Sequence, residues 1–194
     1  MTSHSHGLYI ADDPLGDFAF LGNFIKPDGS EFCPIDPALF VDEDGRLYLY
    51  AFTMRPSSHR RAFVSGSIGV ELDGEDPVTL MEFDPAHKWE RFGEHNADTC
   101  CGWIEGQWMV KRGGRYYLLY ASSGTEYTNY CMAAYVSDTS PLAGFRPQKH
   151  NPVTISHSRF ITGAGHGCIT EGPKGTLWAF YTIVVGYTHI YERL

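Results

Sequence analysis

The sequence lacks an excess of basic residues. Its 15 Lys and Arg residues are outnumbered by 23 Asp and Glu residues, which gives a formal net charge of −8 with histidine counted as neutral. Proteins that bind nucleic acids present a basic face to the phosphates. We therefore predict that no nucleic acid is among the partners.

Long apolar runs are also missing, and we expect no secretory leader in the chain as given. The apolar stretches, such as those around Leu118 and Phe180, are far shorter than the roughly 20 residues that a membrane-spanning helix needs. Residues 1–14 show no basic region followed by an apolar segment. We therefore expect no membrane partner. The cellular location stays open, with the cytoplasm slightly favoured.

Apolar stripes with the 3.6-residue period of an amphipathic helix are absent as well. The five cysteines include one adjacent pair, Cys100 and Cys101, but no Cys-x-x-Cys spacing for zinc or redox chemistry, so we expect buried free thiols. What the chain has instead is 21 glycines and 14% aromatic residues. This composition favours short strands joined by turns, and we predict an all-β protein.

Internal repeats are the most informative feature of the sequence. Three segments, at residues 33–52, 103–122 and 164–183, each contain a short apolar run, a turn that ends in glycine and a second run rich in aromatic and aliphatic residues. Such segments are typical of β-hairpins. A second repeat joins GLYIADDPLGDF, from Gly7, to AAYVSDTSPLAGF, from Ala133.

The spacing of these repeats indicates their architecture. The turn glycines, Gly45, Gly114 and Gly175, are 69 and 61 residues apart, which suits a four-stranded blade with its loops. Blades arranged radially form a β-propeller. We predict a single partial propeller domain over residues 1–194, with about three blades. The segment 73–98 is interpreted as an excursion between blades.

Three ionisable residues recur at one interval in the hairpins. Asp36, Glu105 and His166 each lie nine residues before a turn glycine, which predicts that they share one strand position and face one axial funnel. Charged groups at otherwise apolar strand starts are costly unless they serve a site. Two carboxylates across a cleft are the equipment of glycoside hydrolysis.

Aromatic rings in such a funnel would suit a sugar, because the C–H faces of sugars stack on rings. The candidates are Phe32, Trp103, Trp108 and Tyr127. The partner predicted by this combination of carboxylates and rings is a small carbohydrate substrate.

The motifs that carry a family resemblance are CPIDPALFVDEDGRLYLY, EGQWMVKRGGRYYLLYASSGT, YVSDTSPLAGF and GAGHG. They resemble the blade motifs of glycoside hydrolase family 43, the five-bladed propeller β-xylosidases and α-L-arabinofuranosidases. The resemblance implies that Glu105 is the general acid and that Asp36 orients it and tunes its pKa. His166 is similar to the axial histidine near which calcium or another ion is held through water. Arg193 resembles an arginine of the last blade that lies near the sugar.

The sequence also departs from the pattern of that family. Gln107 follows the Glu-Gly pair where many members have proline. The resemblance implies that the general base belongs to the first blade, and the repeat spacing would place it at position −21, before the first residue of this chain. We expect the last blade to be absent as well. Asp12, Asp13 and Asp17 are nearby carboxylates, but they belong to the outer-strand repeat.

These observations lead to one main interpretation with alternatives. The main one is an inverting glycoside hydrolase for β-xylosides or α-L-arabinofuranosides that lacks its base, with Glu105 kept protonated by a pKa raised beside Asp36. The first alternative is a non-catalytic carbohydrate-binding propeller. A second alternative, a propeller that only binds other molecules, leaves the shared nine-residue interval of the three ionisable residues unexplained. A serine hydrolase is disfavoured because the sequence has no Gly-x-Ser-x-Gly motif. Because an open arc exposes apolar faces, we also expect a homo-oligomer.

Overall fold

The computed structural model describes residues 7–56, 63–73, 76–155 and 161–185. Within these ranges the chain forms strands joined by turns and three short 3-10 turns, at Lys88–Glu90, Glu94–Asn96 and Pro173–Gly175. The strands are β1 (Gly7–Ile10), β2 (Ala19–Asn23), β3 (Ile35–Val41), β4 (Leu47–Pro56), β5 (Phe63–Glu71), β6 (Val78–Glu82), β7 (Ile104–Arg112), β8 (Arg115–Ser122), β9 (Cys131–Ser137), β10 (Arg146–Pro147), β11 (Ile161–Glu171) and β12 (Leu177–Val185).

The strands assemble into two complete antiparallel sheets and two strand pairs. Blade A has the order β3-β4-β5-β6, and blade B has the order β10-β9-β8-β7. The first pair is β1-β2, and the last pair is β11-β12. Neighbouring strands in each sheet are therefore consecutive in the chain, as in a propeller blade. The prediction of an all-β fold built from four-stranded blades is confirmed, whereas the assignment of the whole chain to a single domain stays a prediction.

The three predicted hairpins are present, at β3-β4, β7-β8 and β11-β12. The β7-β8 turn consists of Gly113 and Gly114, whose φ angles of +57° and +73° lie in the left-handed region. Two consecutive positive φ angles are the requirement of a two-residue hairpin turn, and glycine meets it without a steric penalty.

Blades A and B pack against each other through buried aromatic side chains. Tyr50 of β4 and Tyr120 of β8 are both 0% exposed. The Tyr50 hydroxyl donates across the interface to the backbone oxygen of Pro141, at 3.1 Å. Removing a side chain of this size from water stabilises the fold by about 1.5–3 kcal/mol, so the blade interface is a principal source of stability.

Strand β7 lies at the centre of the described arc. It contacts β3, β4 and β5 of blade A on one side and β11 of the last pair on the other. Because β3, β7 and β11 are each the first strand of their sheet, residues at corresponding positions along them converge on one region. This convergence positions the candidate site.

The five cysteines are all free, but the prediction that they are buried is wrong for most of them. Only Cys131 is buried; Cys33 and Cys100 are exposed, and Cys101 and Cys168 are partly exposed. The exposed thiols lie in the connections before β3 and β7, which run over the surface. None of the helical segments described in these ranges has the length and apolar character to cross a membrane.

Candidate functional site

Each of the three converging strands contains a bulge near its start. The pairing shifts between Ile35 and Ala38 in β3, between Glu105 and Trp108 in β7, and between Gly165 and Gly167 in β11. The bulged residue has a left-handed backbone in every case: Asp36 with φ +50°, Gly106 with φ +60° and His166 with φ +47°. These three residues are therefore structurally equivalent.

This equivalence corrects the prediction that Glu105 shares the strand position of Asp36 and His166. Counting back from the turn glycine assumes hairpin turns of one length. The β3-β4 turn spans residues 42–46, but the β7-β8 turn spans only residues 113–114. Glu105 therefore lies one residue before the bulge position, which Gly106 occupies.

Glu105 nevertheless reaches His166. Its carboxylate is 15% exposed, and its Oε1 lies 3.9 Å from Nδ1 of His166. Oε1 also accepts a hydrogen bond from the Tyr130 hydroxyl at 2.5 Å, and Oε2 accepts one from Nε1 of Trp103 at 2.6 Å. Both carboxylate oxygens are thus held by donors, which fixes the orientation of the group.

These contacts also set the charge of Glu105. Burial raises the pKa of its carboxyl, but the neighbouring His166 imidazole and the hydrogen bonds from Tyr130 and Trp103 lower the pKa by more, so that it lies below its ordinary value. The expectation of a raised pKa is therefore wrong for this chain without substrate. Hydrogen bonding to the charged form outweighs desolvation at this carboxylate.

Two glycines allow the rings at this site to pack closely. A Cβ atom on Gly106 would lie 3.0 Å from the His166 ring, and a Cβ atom on Gly165 would overlap the Tyr130 ring. The first glycine of the Gly-His-Gly motif, Gly165, is therefore required because any side chain there would collide with the Tyr130 ring. Gly165 lets Tyr130 approach both Glu105 and His166.

Asp36 and His166 line a shared axial cavity of about 490 Å³. Trp108 also lines it, and its Nε1 donates to the backbone oxygen of Ile169 at 2.8 Å. Gln107 contributes a side chain that is only 2% exposed, and its amide has no hydrogen-bond partner among the described residues. This cavity is where the sequence predicted an axial ion.

The side chains of this cavity do not form a direct calcium site. Calcium takes six to eight oxygen ligands. The described residues contain no group of three His, Cys, Asp or Glu side chains that could hold a metal, and the cavity offers one carboxylate, from Asp36, beside the His166 imidazole. Calcium held through water near His166 stays a prediction.

The predicted sugar-binding aromatics divide into two groups. Trp103 and Tyr127 both contact Phe92, with ring centroids 5.8 Å and 5.1 Å from it, and Trp103 contacts Glu105 directly. Phe32 instead packs with Leu49 of blade A and lines a separate cavity of about 370 Å³. The predicted Arg193 lies outside the described residues.

Tyr130 is a site residue that the sequence analysis missed. It is fully buried just before β9, and its hydroxyl lies 2.5 Å from Glu105 Oε1 and 3.5 Å from His166 Nδ1. The repeat gives no signal for it, because the strand pairing places Ser65 at the equivalent position in blade A. Only the folded arrangement identifies this tyrosine.

A fully buried carboxylate lies outside the axial site, in the segment between blades A and B. Glu90 is 0% exposed, accepts a hydrogen bond from the Tyr120 hydroxyl at 2.6 Å and lies 3.1 Å from Nδ1 of His87. Burial raises the pKa of its carboxyl. The side chain joins the segment between β6 and β7 to blade B. The prediction that all of residues 73–98 form an excursion between blades is wrong, because β6 is the fourth strand of blade A.

Comparison with known proteins agrees with this geometry. The family model of the glycosyl hydrolases family 43 matches residues 1–191. The chain belongs to this family. Xylosidase/arabinosidase 43B of Humicola insolens is 32% identical over 143 residues, which is 72% of this chain and 24% of that protein. Beta-D-galactofuranosidase xynD of Aspergillus niger is 33% identical over 137 residues, which is 70% of this chain and 33% of that protein.

A solved structure confirms the propeller fold. A thermostable family-43 glycoside hydrolase superposes with a TM-score of 0.73 at 23% identity, covering 93% of this chain and 57% of that one. This family-43 chain spans about a quarter to a third of the length of the curated relatives it matches. Its arc corresponds to part of the solved propeller.

Proposed function

We propose that this family-43 chain acts on pentosides, as a hydrolase of β-xylosides or α-L-arabinofuranosides. The carrying observation is the Glu105 carboxylate, held by Trp103 and Tyr130 beside His166 where the inner strands converge. The name of the Humicola insolens relative supports this substrate class. The galactofuranosidase name of the Aspergillus niger relative makes a hexofuranoside the natural comparison substrate.

Glu105 is proposed as the general acid, with Asp36 tuning its environment from the same axial region. A general acid must carry a proton when the glycosidic oxygen leaves. In the chain without substrate the pKa of Glu105 is lowered. A bound sugar would exclude water from this carboxyl and so strengthen the desolvation that already raises the pKa.

The proposed reaction is inverting, in which a base activates water on the face opposite the leaving group. Asp12, Asp13 and Asp17, which the sequence offers as carboxylates near the chain start, lie exposed in and beside the turn between β1 and β2. We assign none of them as the base. The proposal therefore predicts weak turnover, or turnover that depends on a second chain.

Hydrolysis assays test this proposal. We expect weak release of the aryl group from aryl β-xylosides or α-L-arabinofuranosides, with an inverted anomer by NMR. Asp36→Asn should abolish it. Glu105→Gln should reduce it much more on natural disaccharides than on activated aryl substrates, whose leaving group needs little protonation. Strong turnover that survives both substitutions contradicts the residue roles.

A carbohydrate-binding role without catalysis is the second candidate. The lowered pKa of Glu105 favours it, because an ionised carboxylate can accept hydrogen bonds from sugar hydroxyls but cannot protonate a leaving group. In this case calorimetry should detect binding of xylose or arabinose oligomers with no turnover. Loss of that binding in Trp103→Ala, whose indole contacts Glu105, would place the sugar at this site.

A further inference from the structure

The segment between β6 and β7 contains a short antiparallel ladder that leads to Glu105. Its two arms are residues 90–92 and residues 101–103, and we call it the 90–103 ladder. The backbone N–H of Trp103 donates to the backbone oxygen of Glu90 at 3.1 Å. A second backbone hydrogen bond of 2.9 Å and a β-bridge hold the arms together. Trp103, at the end of the second arm, is the residue whose indole contacts Glu105.

The Glu90 carboxylate anchors this ladder to the rest of the protein. Its Oε1 accepts a hydrogen bond from the Tyr120 hydroxyl at 2.6 Å and lies 3.1 Å from Nδ1 of His87, while its Oε2 accepts one from the backbone N–H of Asp84 at 3.0 Å. Tyr120 belongs to β8, so this contact joins the first arm to blade B. The neighbouring Trp89 donates from Nε1 to the same hydroxyl at 2.9 Å.

Burying this carboxylate is costly. The Glu90 side chain is 0% exposed, and burial raises the pKa of its carboxyl by more than its hydrogen bonds lower it. An apolar residue of similar volume often stabilises such a position as well or better, so a buried carboxylate is a poor source of stability. Its advantage is geometric, because partners on both oxygens fix the direction of the side chain.

The path from this anchor to the candidate acid is short. It runs from Glu90 through one backbone hydrogen bond to Trp103, and from the indole through one hydrogen bond of 2.6 Å to Oε2 of Glu105. The Ser122 hydroxyl donates to the backbone oxygen of Trp103 at 2.8 Å and fixes its other side. Because a hydrogen bond weakens steeply outside a narrow range of distance and angle, a shift of the 90–103 ladder would weaken the contact with Glu105.

We propose that Glu90 is a positioning residue for the Glu105 carboxylate: it anchors the 90–103 ladder to blade B and so keeps the Trp103 indole in place to donate to Glu105. The catalytic meaning of this contact rests on the proposed function, whereas the contacts themselves do not. Loss of the anchor removes a donor from the ionised carboxylate, so the pKa of Glu105 rises. A through-space effect has the opposite sign, because removing a nearby negative charge lowers the pKa of a carboxyl.

A ¹³C NMR titration of Glu105 in Glu90 variants tests this positioning. Glu90→Met keeps the length of the side chain without a strong hydrogen-bond acceptor. Glu90→Gln keeps an oxygen for the Asp84 N–H, and its amide can donate to the Tyr120 hydroxyl or to His87. We expect the pKa of Glu105 to rise by about one unit in Glu90→Met and to stay unchanged in Glu90→Gln. An unchanged pKa in Glu90→Met, or a fall in either variant, overturns the proposal.

A double-mutant cycle tests whether the effect passes through Trp103. Trp103→Phe keeps a ring against Phe52 and Phe92, whose centroids lie 5.4 Å and 5.8 Å from that of Trp103, but it removes the Nε1 donor. This substitution should raise the pKa of Glu105 by itself, and Glu90→Met should then add nothing. Additive shifts overturn the proposal, because Glu90 would then act by another route.

Circular dichroism of the β-sheet signal checks that each variant is folded. If Glu90→Met does not fold, Glu90→Asp replaces it: this side chain keeps the charge but is one methylene shorter, so it cannot reach both the Tyr120 hydroxyl and the Asp84 N–H unless the ladder moves. The pKa of Glu105 should rise here too, and an unchanged value overturns the proposal. Because every titration uses the chain without substrate, an absence of hydrolysis would contradict the proposed function and leave this result standing.

Discussion

Replacing Tyr130 with phenylalanine removes one hydrogen bond from the Glu105 carboxylate and keeps the ring that packs against Gly165. The lost hydroxyl donates over 2.5 Å from a side chain that is 0% exposed. A hydrogen bond to a charged group contributes about 1.5–3 kcal/mol, and one pKa unit corresponds to about 1.4 kcal/mol. We therefore expect the pKa of Glu105 to rise by about one to two units in Tyr130→Phe.

The assay is a ¹³C NMR titration of side-chain carboxyls, with the Glu105 signal identified by its absence in Glu105→Gln. Tyr120→Phe is the matched control, because its buried hydroxyl donates over 2.6 Å to a different carboxylate, Glu90. An unchanged Glu105 titration in Tyr130→Phe, or an equal shift in both variants, would refute the argument that the Tyr130 hydroxyl sets this charge. Where hydrolysis is measurable, the alkaline limb of the kcat/KM profile should move up with the pKa.

Three further predictions concern stability. Burial raises the pKa of Asp42, but hydrogen bonds, chiefly from Lys111 at 2.6 Å and Tyr116 at 2.7 Å, lower this pKa by more. The ionised Asp42 carboxylate therefore stabilises the fold above about pH 4, and this stabilisation is lost as the pH falls through the pKa of the folded state. Asp42→Asn should cost about 1–3 kcal/mol in urea unfolding at neutral pH, and the difference should shrink near pH 3; a constant difference contradicts this. Gln107→Met should raise the unfolding free energy by about 1 kcal/mol, since it removes an amide without a partner among the described residues; a loss instead would indicate that the amide is hydrogen-bonded through water. Gly106→Ala should lower the free energy of unfolding by about 1–3 kcal/mol in the same assay, because a φ of +60° is strained for a residue with a Cβ atom. An unchanged free energy of unfolding would show that the bulge relaxes.

The sequence predicted the blades well because their cause is local. Turn glycines and alternating aromatic runs determine a hairpin within about twenty residues, and the repeat of that pattern reports the radial arrangement. The pairing register was less accessible, since a turn of two residues and one of five residues give the same count back to Asp36 and Glu105. Turn length is a property of the folded hairpin.

The charge of Glu105 could not be predicted for a related reason. The sequence suggested Asp36 as its electrostatic neighbour, but the groups that lower its pKa are His166 on β11, Tyr130 in the segment before β9 and Trp103, two residues before Glu105. Tyr130 is 25 residues away in the chain and has no counterpart in blade A, where Ser65 takes its place. A contact between two residues that are far apart in the chain produces no repeating pattern in the sequence.

The left-handed bulge restricts which chemical groups this scaffold can present at its axis. Apart from glycine, that backbone conformation is adopted mainly by asparagine, aspartate and histidine, and β-branched or bulky side chains are strained there. The three bulges hold Asp36, Gly106 and His166, all within this short set. A carboxylate, a carboxamide, an imidazole or a bare backbone are thus the groups that this position accepts most readily. Engineering at the axis can exchange these groups for one another, but a β-branched side chain such as threonine, or an aromatic ring, must be introduced from a neighbouring residue, as the Glu105 carboxylate is.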